Sequence, residues 1–204
     1  MKKFLAAASL AMVIATPAFA QPAGGLPGAP EVSRIAAATY QVDGHHTQVV
    51  WSVNHMGFSI LYGMFGEMTG SLTLDPANPA GAKVVIDIPM TGMTTTSPNF
   101  TKHLASKDFF EVDKFPSAKF VSTSVVVDGQ NAKITGDLTI KDVTKPVVLD
   151  AKLTGAGANP MSKIATVGFE ATAKIKRSDF GLGYALPVVA DDVDLKITAA
   201  FEKK

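Results

Sequence analysis

Cysteine is absent from the 204 residues, which excludes a disulfide framework, a thiolate metal site and an N-terminus lipidated through cysteine. A domain without such staples must be stabilised by burial. Tryptophan occurs once, and charged residues make up only 18% of the chain, 19 basic against 18 acidic. That balance lacks the basic excess of a nucleic-acid-binding surface, so no nucleic-acid partner is expected. Long apolar runs are missing as well. The longest, Phe4 to Ala15, is too short for a membrane anchor, so no stable membrane insertion is expected.

That run instead reads as the core of an export signal. Lys2 and Lys3 precede it, and Ala18-Phe19-Ala20 supplies a small-x-small cleavage site. Residues 1–20 are therefore expected to be a cleaved signal peptide, leaving Gln21 first and sending the protein to the periplasm. Their removal takes two lysines with it, so the mature chain has about one net negative charge. Residues 21–38 are rich in Pro, Gly and Ala and are expected to form a flexible segment that buries little. The folded domain is expected over 39–204.

Within the domain the dominant signal is a period of two. Ile134, Leu138 and Ile140 alternate with Thr135, Asp137 and Thr139; Val147, Leu149, Ala151 and Leu153 alternate with Val148, Asp150 and Lys152. Val167 to Ile175 and Val193 to Phe201 repeat the pattern. Half-buried antiparallel strands produce it, because successive side chains leave opposite faces of the pleat. Turn residues such as Asp128-Gly129-Gln130-Asn131 separate the runs. In the front half, 45–55 and 82–88 read as strands, and 57–74 as a strand or a bent pair. There Phe58, Ile60, Tyr62 and Met64 share one side, with Leu61 and Phe65 on the other. With 117–127 the pattern yields eight strands. One short helix is expected over 98–106, capped by Ser97 or Thr96 and opened by Pro98. The fold class expected is all-β, a lipocalin-like antiparallel eight-stranded barrel with one short helix.

Several stretches, taken in order, carry a family likeness. They are His55-Met56-Gly57-Phe58-Ser59 running to Gly63-Met64-Phe65, then His103 to Phe110 followed by Pro116 and Phe120. Gly136 to Ile140, Ile175-Lys176-Arg177-Ser178-Asp179-Phe180-Gly181 and Asp191-Asp192-Val193 follow. Together, over about residues 39–203, they resemble the YceI-like, or polyisoprenoid-binding, family of bacterial periplasmic proteins. The resemblance implies a barrel whose interior holds an isoprenoid lipid, polyprenyl or quinone-like, or another long-chain amphiphile. One departure stands out. The family usually carries an Arg-Asp pair ahead of the His-Leu of its helix, where this chain has Phe100 and Thr101.

Candidate site residues follow from the apolar strand faces and from that resemblance. The aromatic and thioether set comprises Phe58, Phe65, Met90, Phe109, Phe110, Phe120, Phe169, Phe180 and Tyr184, with Val53, Ile60, Leu104 and Ala171 completing the lining. Phe and Met suit a long flexible ligand, and Met adapts to irregular chains. They would equally suit an ordinary packed core, so a solid barrel acting as a stress-related or partner-binding module is the alternative. His55 is expected as a hydrogen-bonded barrel residue within the lining. Arg177 has two readings: a guanidinium fork facing a ligand headgroup, or an Arg177–Asp179 turn that fixes a strand end and seats Phe180 in the core. The turn is preferred.

Other chemistry finds little support. His45 and His46 are adjacent and would point to opposite faces of a strand, and no helical His pair occurs, so neither a metal nor a cofactor is expected. There is no Gly-x-Ser-x-Gly elbow, and Gly181-Leu182-Gly183 lacks the rest of a nucleotide-binding loop. No enzyme is expected. Oligomeric state is open, a homodimer included.

Overall fold

The computed structural model describes residues 25–204. The proposed signal peptide and its cleavage site lie outside the described residues. Eleven strands form one antiparallel sheet: β1 (Ala38–Val42), β2 (Gln48–His55), β3 (Ser59–Phe65), β4 (Thr69–Leu74), β5 (Lys83–Pro89), β6 (Met93–Thr94), β7 (Ser117–Asp128), β8 (Asn131–Ile140), β9 (Val143–Ala158), β10 (Ala165–Lys176) and β11 (Val189–Lys203).

Three pairs of these are single strands interrupted by a bend. β1 and β2 both pair with β11, β4 pairs with β1 while β3 pairs with β2, and β5 and β6 flank β4 and β3 in turn. Counted this way there are eight strands, each bonded to its neighbours in sequence. The ring closes where β11 meets β1, at Tyr40 opposite Lys203 and Val42 opposite Phe201. Among the described residues the fold is therefore the expected all-β, eight-stranded antiparallel barrel with one short α-helix.

At the bend between β1 and β2, the buried Thr47 replaces a missing ladder bond. Its hydroxyl donates to the Ala200 carbonyl at 3.3 Å and accepts from the Ala200 N–H at 3.1 Å. The strand expected from residue 45 thus begins at Gln48, and His45 and His46 lie in a turn. Their exposed rings face carboxylates instead of a metal: His46 Nδ1 lies 2.6 Å from Asp43 and His45 Nδ1 3.7 Å from Glu67.

Helix α1 (Pro98–Ala105) matches the expected element, with the Ser97 hydroxyl accepting from the Phe100 N–H at 3.3 Å. Phe100 and Thr101, where the family usually has Arg-Asp, both hold this helix. Phe100 meets Trp51 edge-on at 6.4 Å between centroids, and the Thr101 hydroxyl accepts from the Thr95 N–H at 3.0 Å.

The segment expected to be flexible requires correction within its described part. Ala29 and Ala156 exchange both backbone hydrogen bonds, at 3.2 and 2.8 Å. Ile35 packs beside the fully buried Tyr40, whose hydroxyl donates to the Ala36 carbonyl at 2.6 Å. Residues 29–36 are docked on the barrel. Composition misses this contact because it runs through the backbone, which Pro/Gly/Ala-rich chain presents as well as any other.

Candidate functional site

Strand alternation turns one face of nearly every strand inward, and those faces enclose a cavity of ≈ 1050 Å³. Its wall is overwhelmingly hydrocarbon. β11 alone contributes Val193, Leu195, Ile197, Ala199 and Phe201, and β2 contributes Val49, Trp51 and Val53. The lining runs from His55 and Tyr184 at the end that carries α1 to Ile35 and Gln130 at the end where Lys204 meets Thr39.

Two glycines make room for the largest rings of the wall. Gly63 stands opposite Trp51, and a Cβ there would lie 2.2 Å from the indole. Gly136 does the same for Phe120, whose ring would meet that Cβ at 2.4 Å. Each ring therefore lies flat along the wall, over a neighbour without a side chain, and leaves the centre open.

Thirteen of the fifteen candidate residues line this cavity. Val53, Phe65, Phe120, Phe169 and Ala171 belong to the strand walls; Met90, Leu104, Phe109 and Phe110 approach from the α1 side; His55, Ile60, Arg177 and Tyr184 lie toward the mouth. Phe65 and Phe110 meet edge-on at 5.7 Å, and Phe109, His103 and Tyr184 form a three-ring cluster with centroids 5.1–5.4 Å apart.

Two candidates are misplaced. Phe58 sits in the β2–β3 turn and is 89% exposed, because the row Phe58, Ile60, Tyr62, Met64 is the outer face of β3, from which only Ile60 and Tyr62 reach the cavity mouth, while Leu61, Gly63 and Phe65 turn in. With Trp51 filling the space over Gly63, the inner face of β3 is the less bulky one. Phe180 is 1% exposed, but it is packed between Leu182 and the β7–β9 wall and does not reach the cavity.

Arg177 lines the cavity without offering it a free donor. Its Nε donates to the Ala190 carbonyl (2.8 Å), Nη1 to Leu182 and Tyr184, and Nη2 to Val189 (2.9 Å). Burial pushes the guanidinium pKa down and the Asp191 carboxylate pulls it back up. Its neutral form stays out of reach at any physiological pH. The headgroup reading is not what this geometry offers, whereas the expected turn is present: Arg177–Phe180 form a single 3-10 turn at the end of β10 and seat Phe180 in the core. Arg177 holds loop 182–190 through carbonyls, while Asp191 accepts from the Ser178 N–H (2.9 Å) and hydroxyl (2.7 Å). The Ser178 hydroxyl is the main reason the Asp191 pKa is lowered.

The His55 ring, expected to be hydrogen-bonded, lines the mouth, and no side-chain hydrogen bond reaches it among the described residues. His103 Nε2 lies 3.2 Å from Asp108. Sequence reasoning passed over Trp51, Leu195 and Ile197, although their alternation with polar neighbours put them on the same inward faces. It also passed over Val32 and Ile35 and the hydroxyl rim Thr95, Thr96 and Ser97. Among the described residues no group of three or more His, Asp or Glu is placed to hold a metal ion. No described helix is long and apolar enough to cross a membrane.

A closed up-and-down meander around an apolar cavity defines a lipocalin-like binding protein. What such an interior offers a ligand is dispersion and exclusion of water. The model of the YceI-like domain matches residues 40–201, and the chain belongs to that family. It is 44% identical to Protein YceI of Escherichia coli over 164 residues, 79% of this chain and 85% of that protein. It is 42% identical to a UPF0312 protein of Photorhabdus laumondii over 81% of this chain and 87% of the other. The crystal structure of Burkholderia cenocepacia BcnA superposes with a TM-score of 0.70 at 26% identity, covering 78% of this chain and 98% of that one. Fold and family together support a general lipid-binding or carrier role.

Proposed function

We propose that the protein is exported to the periplasm and there holds one long isoprenoid lipid, or a comparable long-chain amphiphile, inside the barrel. The observation that carries this reading is the volume of the cavity and its apolar lining. At roughly 30 Å³ per carbon-sized group, ≈ 1050 Å³ accommodates about 35 carbons, the scale of a chain of about seven isoprene units. The solid-core alternative would need that space filled by side chains.

Cargo exchange follows from the energetics. Each methylene gains about 0.8 kcal/mol on leaving water, so such a tail gains on the order of tens of kcal/mol relative to water. The competing state is a bilayer, where the tail is already dry, so the net gain on entering the barrel is small. Near-balance between the two is what a carrier or scavenger needs, since it must release what it takes up.

Binding of a polyprenol series of increasing length tests the reading. Affinity should rise with each added isoprene unit until the cavity is full, at about 35 carbons, and then level off. Affinity independent of chain length would contradict it.

A further inference from the structure

Within the barrel domain, residues 47–66, 88–101 and 180–190 each carry no Asp, Glu, Lys or Arg. The fold brings all three to one side of the end that bears α1. Val189 pairs with His55, Met64 and Phe65 pair with Thr94 and Met93, and His103 on α1 stacks 5.4 Å from Tyr184. There the chain exposes large apolar side chains as a group. Phe58 is 89% exposed, Tyr62 61% and Val188 57%, with Met56, Ile60 and Tyr184 beside them. Isolated exposed apolar residues need no explanation, whereas a contiguous uncharged set does.

Met56, Ile60, Tyr62 and Tyr184 belong to this exposed rim and to the cavity lining at once. The outer surface and the mouth of the cavity are therefore one continuous apolar surface. The opposite end also exposes Val127, Met161 and Ile164, but there charged residues stand beside them, Asp128 and Lys133 at the strand ends and Asp75 and Lys163 in the loops.

We propose that this rim is a docking surface for a lipid bilayer, through which cargo passes between membrane and cavity. The inference rests on the lipid-binding reading above and adds the route of entry. A bilayer is the occupant that fits best. Uncharged aromatic and aliphatic side chains partition into the headgroup–acyl boundary at low desolvation cost, with Tyr hydroxyls left at the polar level. A mouth embedded in that layer also spares an apolar tail from crossing water. The rim has no cationic cluster, so docking does not depend on anionic lipid or on low salt.

The test uses the mature full-length protein, its Phe58→Asp variant, and Met161→Asp as a control at the opposite end, where Met161 is 92% exposed. Flotation with neutral phosphatidylcholine vesicles reads docking of the protein itself. Uptake of all-trans-retinol, a fluorescent isoprenoid, is measured once from buffer and once from the same vesicles. Phe58 lies outside the cavity lining, so Phe58→Asp should bind retinol from buffer like wild type. Its vesicle-bound fraction and its vesicle uptake rate should each fall about tenfold or more, with Met161→Asp unchanged. Equal flotation of wild type and Phe58→Asp, or an equal loss in Met161→Asp, overturns the proposal. It is also overturned if wild type ignores vesicles but forms a dimer by light scattering that Phe58→Asp dissociates, since the rim would then serve a second copy. Failure of wild type to take up retinol from buffer counts against the lipid-binding reading alone, because flotation still reports docking.

Discussion

Ala171→Trp separates a hollow barrel from a filled one. Ala171 is buried at the cavity wall, with Ala151 opposite it on β9 and Ile197 opposite it on β11. A small aromatic ring needs on the order of 150 Å³, and the cavity holds ≈ 1050 Å³. The indole should therefore enter open space next to a small neighbour and leave the urea midpoint nearly unchanged. In a packed interior the same substitution would force side chains off their rotamers and cost about 1–3 kcal/mol. Binding responds in the opposite sense. The ring takes the room of about five methylenes, and leaving those in water costs about 4 kcal/mol for a chain that fills the cavity. Affinity should fall at least a hundredfold, since each 1.4 kcal/mol is about a factor of ten. The assay is lipid recovered per protein, measured beside the urea midpoint of the same sample. Undiminished lipid together with a midpoint lowered by the equivalent of 1–3 kcal/mol or more, roughly the overpacking range, would refute the reasoning.

Three further expectations follow from the contacts around the cavity. Arg177→Met should destabilise the protein by about 2 kcal/mol or more in urea titration, because the carbonyls of Leu182, Tyr184, Val189 and Ala190 lose their charged donor; an unchanged midpoint would show that loop 182–190 is held otherwise. Asp191 has a lowered pKa, so its contribution is present above the ordinary carboxylate range and is lost as pH falls through the lowered value. Ser178→Ala removes the main cause, and the stability gap between wild type and variant should be constant above about pH 5, stay below about 1 kcal/mol at so exposed a site, and close below about pH 4; a gap that widens in acid would contradict the sign. Deleting residues 21–36 should lower stability by about 2 kcal/mol through loss of the Ala29–Ala156 bonds and the Ile35 contact; an unchanged melting temperature would mean the docked segment contributes nothing.

The strand faces were legible in the sequence wherever a polar residue alternated with an apolar one. β8 to β11 show it, and their inward residues are the ones expected. The helix was legible because Ser97 and Pro98 are local signals. β3 was not, because both of its faces are apolar and nothing local says which one turns in; the decision lies with Trp51 on the neighbouring strand, seated over Gly63. That is why Phe58 was assigned to the lining and lies outside it. Phe180 and Arg177 illustrate a different gap. Their surroundings are the loop 182–190 and its carbonyls, which a sequence pattern does not display. Hollowness itself is not encoded in periodicity, since a packed barrel and an empty one share the same alternation. The family resemblance supplied that expectation, and the cavity agrees with it.

The central claim is that a long lipid occupies the barrel, and organic extraction of protein purified from its native envelope tests it most directly. Mass spectrometry of the extract should show about one long-chain lipid per protein, expected from a cavity sized for one chain of about 35 carbons. For an isoprenoid the fragments should be spaced by single C₅H₈ units. Protein that emerges lipid-free, and stays so after incubation with polyprenol, would contradict the account.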